Sequence, residues 1–156
     1  MNKRVRQIGL DGVMSSVAVA MTAALCSRCE GRSALRPINA ISHIVWGRHA
    51  AKQNGGTIRY TGTGLLLNLV ACTFWTTCYH LSRRAVSKPN SSVTTALVGT
   101  GTIALAYITD YYVVPRRFTP GFELCLPSRS FPWLYGALAL GILLPDLARQ
   151  GARGRS

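Results

Sequence analysis

Residues 62–81 read GTGLLLNLVACTFWTTCYHL, an apolar run with polar side chains set into it at a regular interval. Nothing in it alternates between polar and apolar positions as a half-buried strand does. Asn68, Cys72, Thr76 and His80 recur at every fourth position, which puts them on one face of an α-helix whose other positions include Leu65, Leu66, Leu69, Val70 and Phe74. A helix needs about 20 apolar residues to cross roughly 30 Å of hydrocarbon, and this run has that length. Its polar stripe must then face protein or water, because lipid offers no hydrogen-bonding partner.

Working outward, blocks of the same kind run from Ile8 to Cys26, Ser91 to Val114 and Phe131 to Leu147. The first carries Asp11 near its head and the last carries Pro145 near its end. The expected architecture is an all-α membrane protein, one integral domain over 1–156, with four transmembrane helices at about 8–26, 62–81, 91–114 and 131–147. The chain as a whole is 48% hydrophobic and 15% charged, with a mean hydropathy of +0.19. The first block competes with a secretory signal, since MNKRVR is a basic leader and Ala18-Val19-Ala20 a passable cleavage pattern. An acid at the head of the apolar region argues against that, and the block is read as a helix that stays.

A net charge of +13 raises the question of nucleic acid. The Lys and Arg residues fall almost wholly between the apolar blocks, where they meet anionic headgroups, and no basic stripe is interleaved with exposed aromatics. The partner implied is the lipid bilayer, not nucleic acid. Antiparallel spans place the N-terminal tail, the 82–90 loop with Lys88, and the C-terminal tail with Arg155 on one side. The 27–61 and 115–130 loops lie opposite. Lys and Arg divide evenly between the sides but are denser in the shorter segments of the first, which the positive-inside rule assigns, with both termini, to the cytoplasm.

This topology sorts the ionisable residues by depth. Asp11, His80 and Asp146 share the terminal end, so Asp11 and His80 form the feasible pair, and Asp110 is a membrane thickness away. Together with Asn68 and Thr76, Asp11 and His80 are the candidate lining of a transport path; the competing expectation for the stripe is hydrogen bonding between packed helices. Asp110 stands about one turn before Pro115, among Tyr107, Tyr111 and Tyr112, and is expected to be satisfied by tyrosine hydroxyls and by Arg116 or Arg117.

On that opposite side, PINAISHIVWG (37–47) predicts a short interfacial or re-entrant amphipathic helix over about 37–46. Pro37 suits its first position, Gly47 its C-terminal cap, Ile38, Ile41, Ile44 and Val45 one face, and Asn39, Ser42 and His43 the other. Asn39-Ala-Ile-Ser-His-Ile-Val-Trp-Gly47, Tyr60-Thr61-Gly62 and Arg117-Phe-Thr-Pro-Gly-Phe-Glu123 resemble stretches of small uncharacterised bacterial inner-membrane proteins. The resemblance implies a bacterial four-span inner-membrane protein and carries no function with it.

Chemical motifs are sparse. Cys26 and Cys29 make a C-x-x-C at the end of the first span. There the helix dipole opposes a thiolate, so a structural disulfide or no role is expected before a redox centre. Cys26, Cys29, His43 and Cys125 are the only tetrahedral metal set on offer, without the spacing of an established zinc motif. No P-loop, H-E-x-x-H or Ser-His-Asp order is present, and no cofactor is implied. A catalytic site, if present, falls to Asn39, His43, Asp110 and Glu123, with His43 as acid or base.

Small residues form i+4 rows: Gly12, Ser16, Ala20 and Ala24 in the first span, and Ser92, Ala96, Thr100 and Ala104 in the third. They predict close packing between those spans, within one chain or across a homo-oligomer. The leading expectation is a non-enzymatic membrane accessory or assembly protein acting through helix–helix contacts. The alternatives are a small oligomeric transporter or channel using the stripe, and a membrane-embedded enzyme or thiol/metal site at the loop-bearing face.

Overall fold

The structure is a computed structural model that describes residues 3–86 and 91–153; Lys88 and Arg155, placed above on the terminal side, lie outside the described residues. Among the described residues all regular structure is helical. The helices are α1 (Lys3–Cys29), α2 (Arg36–Ile41), α3 (His43–Trp46), α4 (Thr63–Arg84), α5 (Ser92–Ile108) and α6 (Phe131–Arg153). A π-turn, Ile58–Gly62, leads into α4 and another, Thr109–Val113, extends α5.

Among the described residues, three helices are long and apolar enough to cross a membrane: α1, α5 with its π-turn, and α6 with the turn before it. α4, the expected fourth span, has the length, 22 residues, but not the apolarity. Its stripe is the reason. Asn68, Thr73, Thr76, Thr77 and His80, with Arg83 and Arg84 at the end, dilute the leucines that open the helix.

α1 packs antiparallel on α4 and also against α6, and α5 joins the bundle through α6 and α4. The buried face of α1 is Asp11, Gly12, Ser15, Ser16, Val19, Ala23 and Ser27, small and polar residues at helical spacing. Leu10, Met14, Val17 and Met21 point outward, as do Leu66, Val70 and Phe74 of α4, Val93 and Leu97 of α5, and Leu140 and Leu144 of α6. This distribution reverses that of a protein in water. Helices packing in lipid gain nothing from hiding leucine and gain contact from small residues that let backbones approach.

The small residues work at identifiable places. A Cβ on Gly141 of α6 would lie 2.4 Å from the Ser15 Cα, and one on Gly12 would lie 2.6 Å from the Thr73 hydroxyl oxygen. Gly12 and Ser16 of the predicted row are therefore spent on α4, not on the third span as expected. On α5 the buried row is Thr95, Gly99, Thr102 and Ala106, while Ser92, Ala96, Thr100 and Ala104 are exposed.

The 37–46 element also departs from expectation. It is two short helices meeting at Ser42, and Pro37 to His43 are buried against the bundle. Both faces are enclosed, Ile38 and Ile41 as well as Asn39, Ser42 and His43, and Val45 is exposed, unlike a helix resting on a membrane. Gly64 makes this seating possible, because any Cβ there would fall 2.0 Å from the Ile38 carbonyl oxygen. Gly47 closes α3 at φ +80°, a value that favours glycine, and its N–H donates to the His43 carbonyl at 2.8 Å. α6 runs through Pro145 to Arg153 rather than ending near Leu147.

Candidate functional site

Two polar constellations stand at opposite ends of the bundle. At the terminal end, Asp11 of α1 is 1% exposed. Its Oδ1 accepts from Arg149 Nη1 at 3.0 Å, and its Oδ2 accepts from Arg149 Nη2 at 2.7 Å and lies 3.0 Å from His80 Nε2. Asp146, also buried, accepts from the Tyr79 hydroxyl at 2.7 Å and from Arg83, and its other oxygen is 3.6 Å from Arg149 Nη2. Three helices are thereby joined by charge-assisted bonds in a dry setting, where such bonds are strongest when every partner is present.

The candidate transport residues belong to this packing. Asn68 Nδ2 donates to the Ser16 carbonyl and hydroxyl at 2.9 Å each, the Thr76 hydroxyl donates to the Cys72 carbonyl at 2.7 Å, and both side chains are buried. Sequence reasoning paired Asp11 with His80 but left Arg149, Arg83 and Tyr79 out. The available signal was spacing: His80 and Arg83 are three apart, Tyr79 and Arg83 four, Asp146 and Arg149 three, so helical continuation puts each pair on one face.

At the loop-bearing end the candidate residues separate. Asn39 is fully buried and structural: its amide donates to the carbonyls of Gln53 and Gly55 at 3.0 Å each, and its oxygen accepts from Thr61 at 2.7 Å. Asp110 accepts from the Tyr135 hydroxyl at 2.6 Å and lines an apolar groove of about 580 Å³ with Phe74, Phe118 and Phe122. Neither Arg116 nor Arg117 turns back to it; both line a different cavity.

That second cavity, about 570 Å³, brings His43 and Glu123 together with Tyr111, Arg48, Arg116 and Arg117. His43 Nδ1 lies 2.9 Å from the Ala40 carbonyl oxygen, which accepts only, so Nδ1 carries the proton. His43 Nε2 is buried and has no partner. Glu123 accepts from the Thr119 hydroxyl.

The proposed metal set does not assemble: among the described residues no group of three or more His, Cys, Asp or Glu side chains is placed to hold an ion. All five cysteines are free. Burial pushes the Cys125 thiol up to about 12, against a downward pull from Arg36 and Arg32.

No family model, curated protein or solved structure matches the chain.

Proposed function

We propose that the chain is a non-enzymatic integral membrane protein of accessory or assembly type, which docks a partner helix or a second copy on the outer face of α5. The observation that carries this reading is the exposed row Ser92, Ala96, Thr100 and Ala104, four small residues at i+4 spacing on an apolar helix. Such rows let a second backbone come close, which is the main source of helix association in lipid. The corresponding row of α1 meets α4 at Gly12 and Ser16.

On this reading α4 crosses the membrane with the other three long helices, giving four spans. Its antiparallel seat along α1 supports that, and so does the outward face of Leu65, Leu66, Val70, Phe74 and Leu81, which in water would be an exposed apolar patch. The membrane is a bacterial inner membrane and both termini are cytoplasmic, supported by the resemblance and by the density of Lys and Arg. The burial and mutual bonding of the α4 stripe favour packing over a conduction path.

Native mass spectrometry of the protein released from its own membrane tests the reading. A homo-oligomer or a second polypeptide, lost in the variant Ala96→Leu/Thr100→Leu, is expected. A wild-type chain weighing only its own 16.9 kDa overturns it.

A further inference from the structure

We infer that the cavity between α3 and the 115–124 segment is a binding site for a phosphate-bearing group. The cavity measures about 570 Å³, within the roughly 300–1,000 Å³ of small-molecule sites. Arg48, Arg116 and Arg117 line it, and among the described residues no carboxylate lies within ion-pair distance of any of the three. Three guanidiniums against the single carboxylate of Glu123, itself held by Thr119, leave the wall positive and rich in donors whose planar fork matches phosphate oxygens.

His43 narrows the class. It is 4% exposed, and its buried Nε2 has no partner, so the nitrogen stays desolvated and unsatisfied unless a ligand bonds it. Since Nδ1 holds its proton toward Ala40, a neutral ring offers Nε2 as an acceptor and a protonated ring offers it as a donor. A phosphate monoester or inorganic phosphate satisfies both states, through P–OH in the first and P–O⁻ in the second. A carboxylate or a phosphodiester, each ionised and without an acidic O–H at neutral pH, satisfies only the second.

The wall has two sides. Arg117, Thr119 and Glu123 face the cavity, while Phe118, Pro120 and Phe122 of the same segment face the apolar groove that holds Asp110. The phosphate has two sources on this geometry: the phosphomonoester headgroup of a membrane lipid whose chains lie along that groove, or a soluble phosphate monoester entering from the aqueous side. The site is independent of docking on α5.

The test uses the full chain in two arms. Inorganic phosphate and glycerol phosphate are titrated by calorimetry into protein in a phosphate-free detergent, and phospholipid retention is read by native mass spectrometry from nanodiscs of phosphatidic acid mixed with phosphatidylcholine. Arg116→Gln/Arg117→Gln is expected to weaken binding at least tenfold. His43→Asn, which keeps a donor toward Ala40 and removes Nε2, is expected to weaken it severalfold. Arg129→Gln, an exposed arginine outside the cavity and paired with Glu30 at 2.7 Å, should leave it unchanged. Arginine-dependent binding in the first arm assigns a soluble ester, and in the second arm alone a lipid headgroup. No binding in either arm, or equal loss in Arg129→Gln, overturns the inference.

Discussion

Arg149 and Asp11 are 138 residues apart in the chain and meet in a two-pronged ion pair, 3.0 Å and 2.7 Å across its two arms. The carboxylate is 1% exposed and the guanidinium side chain 32%, so the pair spans the boundary between bundle and solvent. It ties the last helix to the first at the end where α1 begins and α6 finishes. An ion pair in such a place is a weak argument for net stability but a strong one for specificity of packing, since removing one partner strands the other.

Arg149→Met is therefore expected to destabilise the fold by about 3 kcal/mol, the low end of the cost of breaking a buried pair because the arginine is partly solvated. Asp11→Leu/Arg149→Met together should recover most of that loss. Unfolding midpoints in a fixed detergent check both, and equal loss in the single and double variants would contradict the stranded-charge account.

Gly64→Ala and Gly141→Ala should each cost about 1–3 kcal/mol, because their Cβ atoms would fall 2.0 Å from the Ile38 carbonyl and 2.4 Å from the Ser15 backbone. Gly101→Ala, in α5 with nothing within 4 Å, should be neutral or slightly stabilising. Hydrogen exchange separates the first two: Gly64→Ala should loosen 36–46, Gly141→Ala the α1–α6 contact.

Asn39→Ala removes the donor to Gln53 and Gly55 and the acceptor of Thr61. The expected effect is about 1–3 kcal/mol and is local. Limited proteolysis should then cut within 53–57 much faster than in the wild type, with the long helices still protected.

The Cys125 thiol, raised by burial from 9.0 to about 12, stays protonated in the folded protein while an unfolded chain ionises above about pH 9. Its contribution to stability is thus complete below pH 9 and lost as pH rises toward 12. The fall in unfolding midpoint over that window should be shallower in Cys125→Ala. At pH 8 a maleimide should label the exposed Cys29 and spare Cys125 until the protein unfolds.

Much of the fold is legible in the sequence because hydropathy and helical period are local properties. Ile8–Cys26 and Phe131–Leu147 sit inside α1 and α6, and alternating span direction alone brings Asp11 and His80 to one end. The site is less legible. Reading α6 as ending near Leu147 hides Arg149, and reading 37–46 as interfacial hides the buried Nε2 of His43.

The sequence by itself determined that the chain is helical, which segments are apolar enough for lipid, and which ionisable groups share an end. Only the tertiary structure decided which face of each helix points inward: that the α1 row meets α4, that the α5 row looks out, and that Asp110 and His43 open into different cavities. A sequence carries the period of a helix directly. Its rotation about its own axis is set by the residues that neighbouring helices bring to the contact, and in lipid, without a hydrophobic effect to favour one face, small-residue fit and buried hydrogen bonds make that choice.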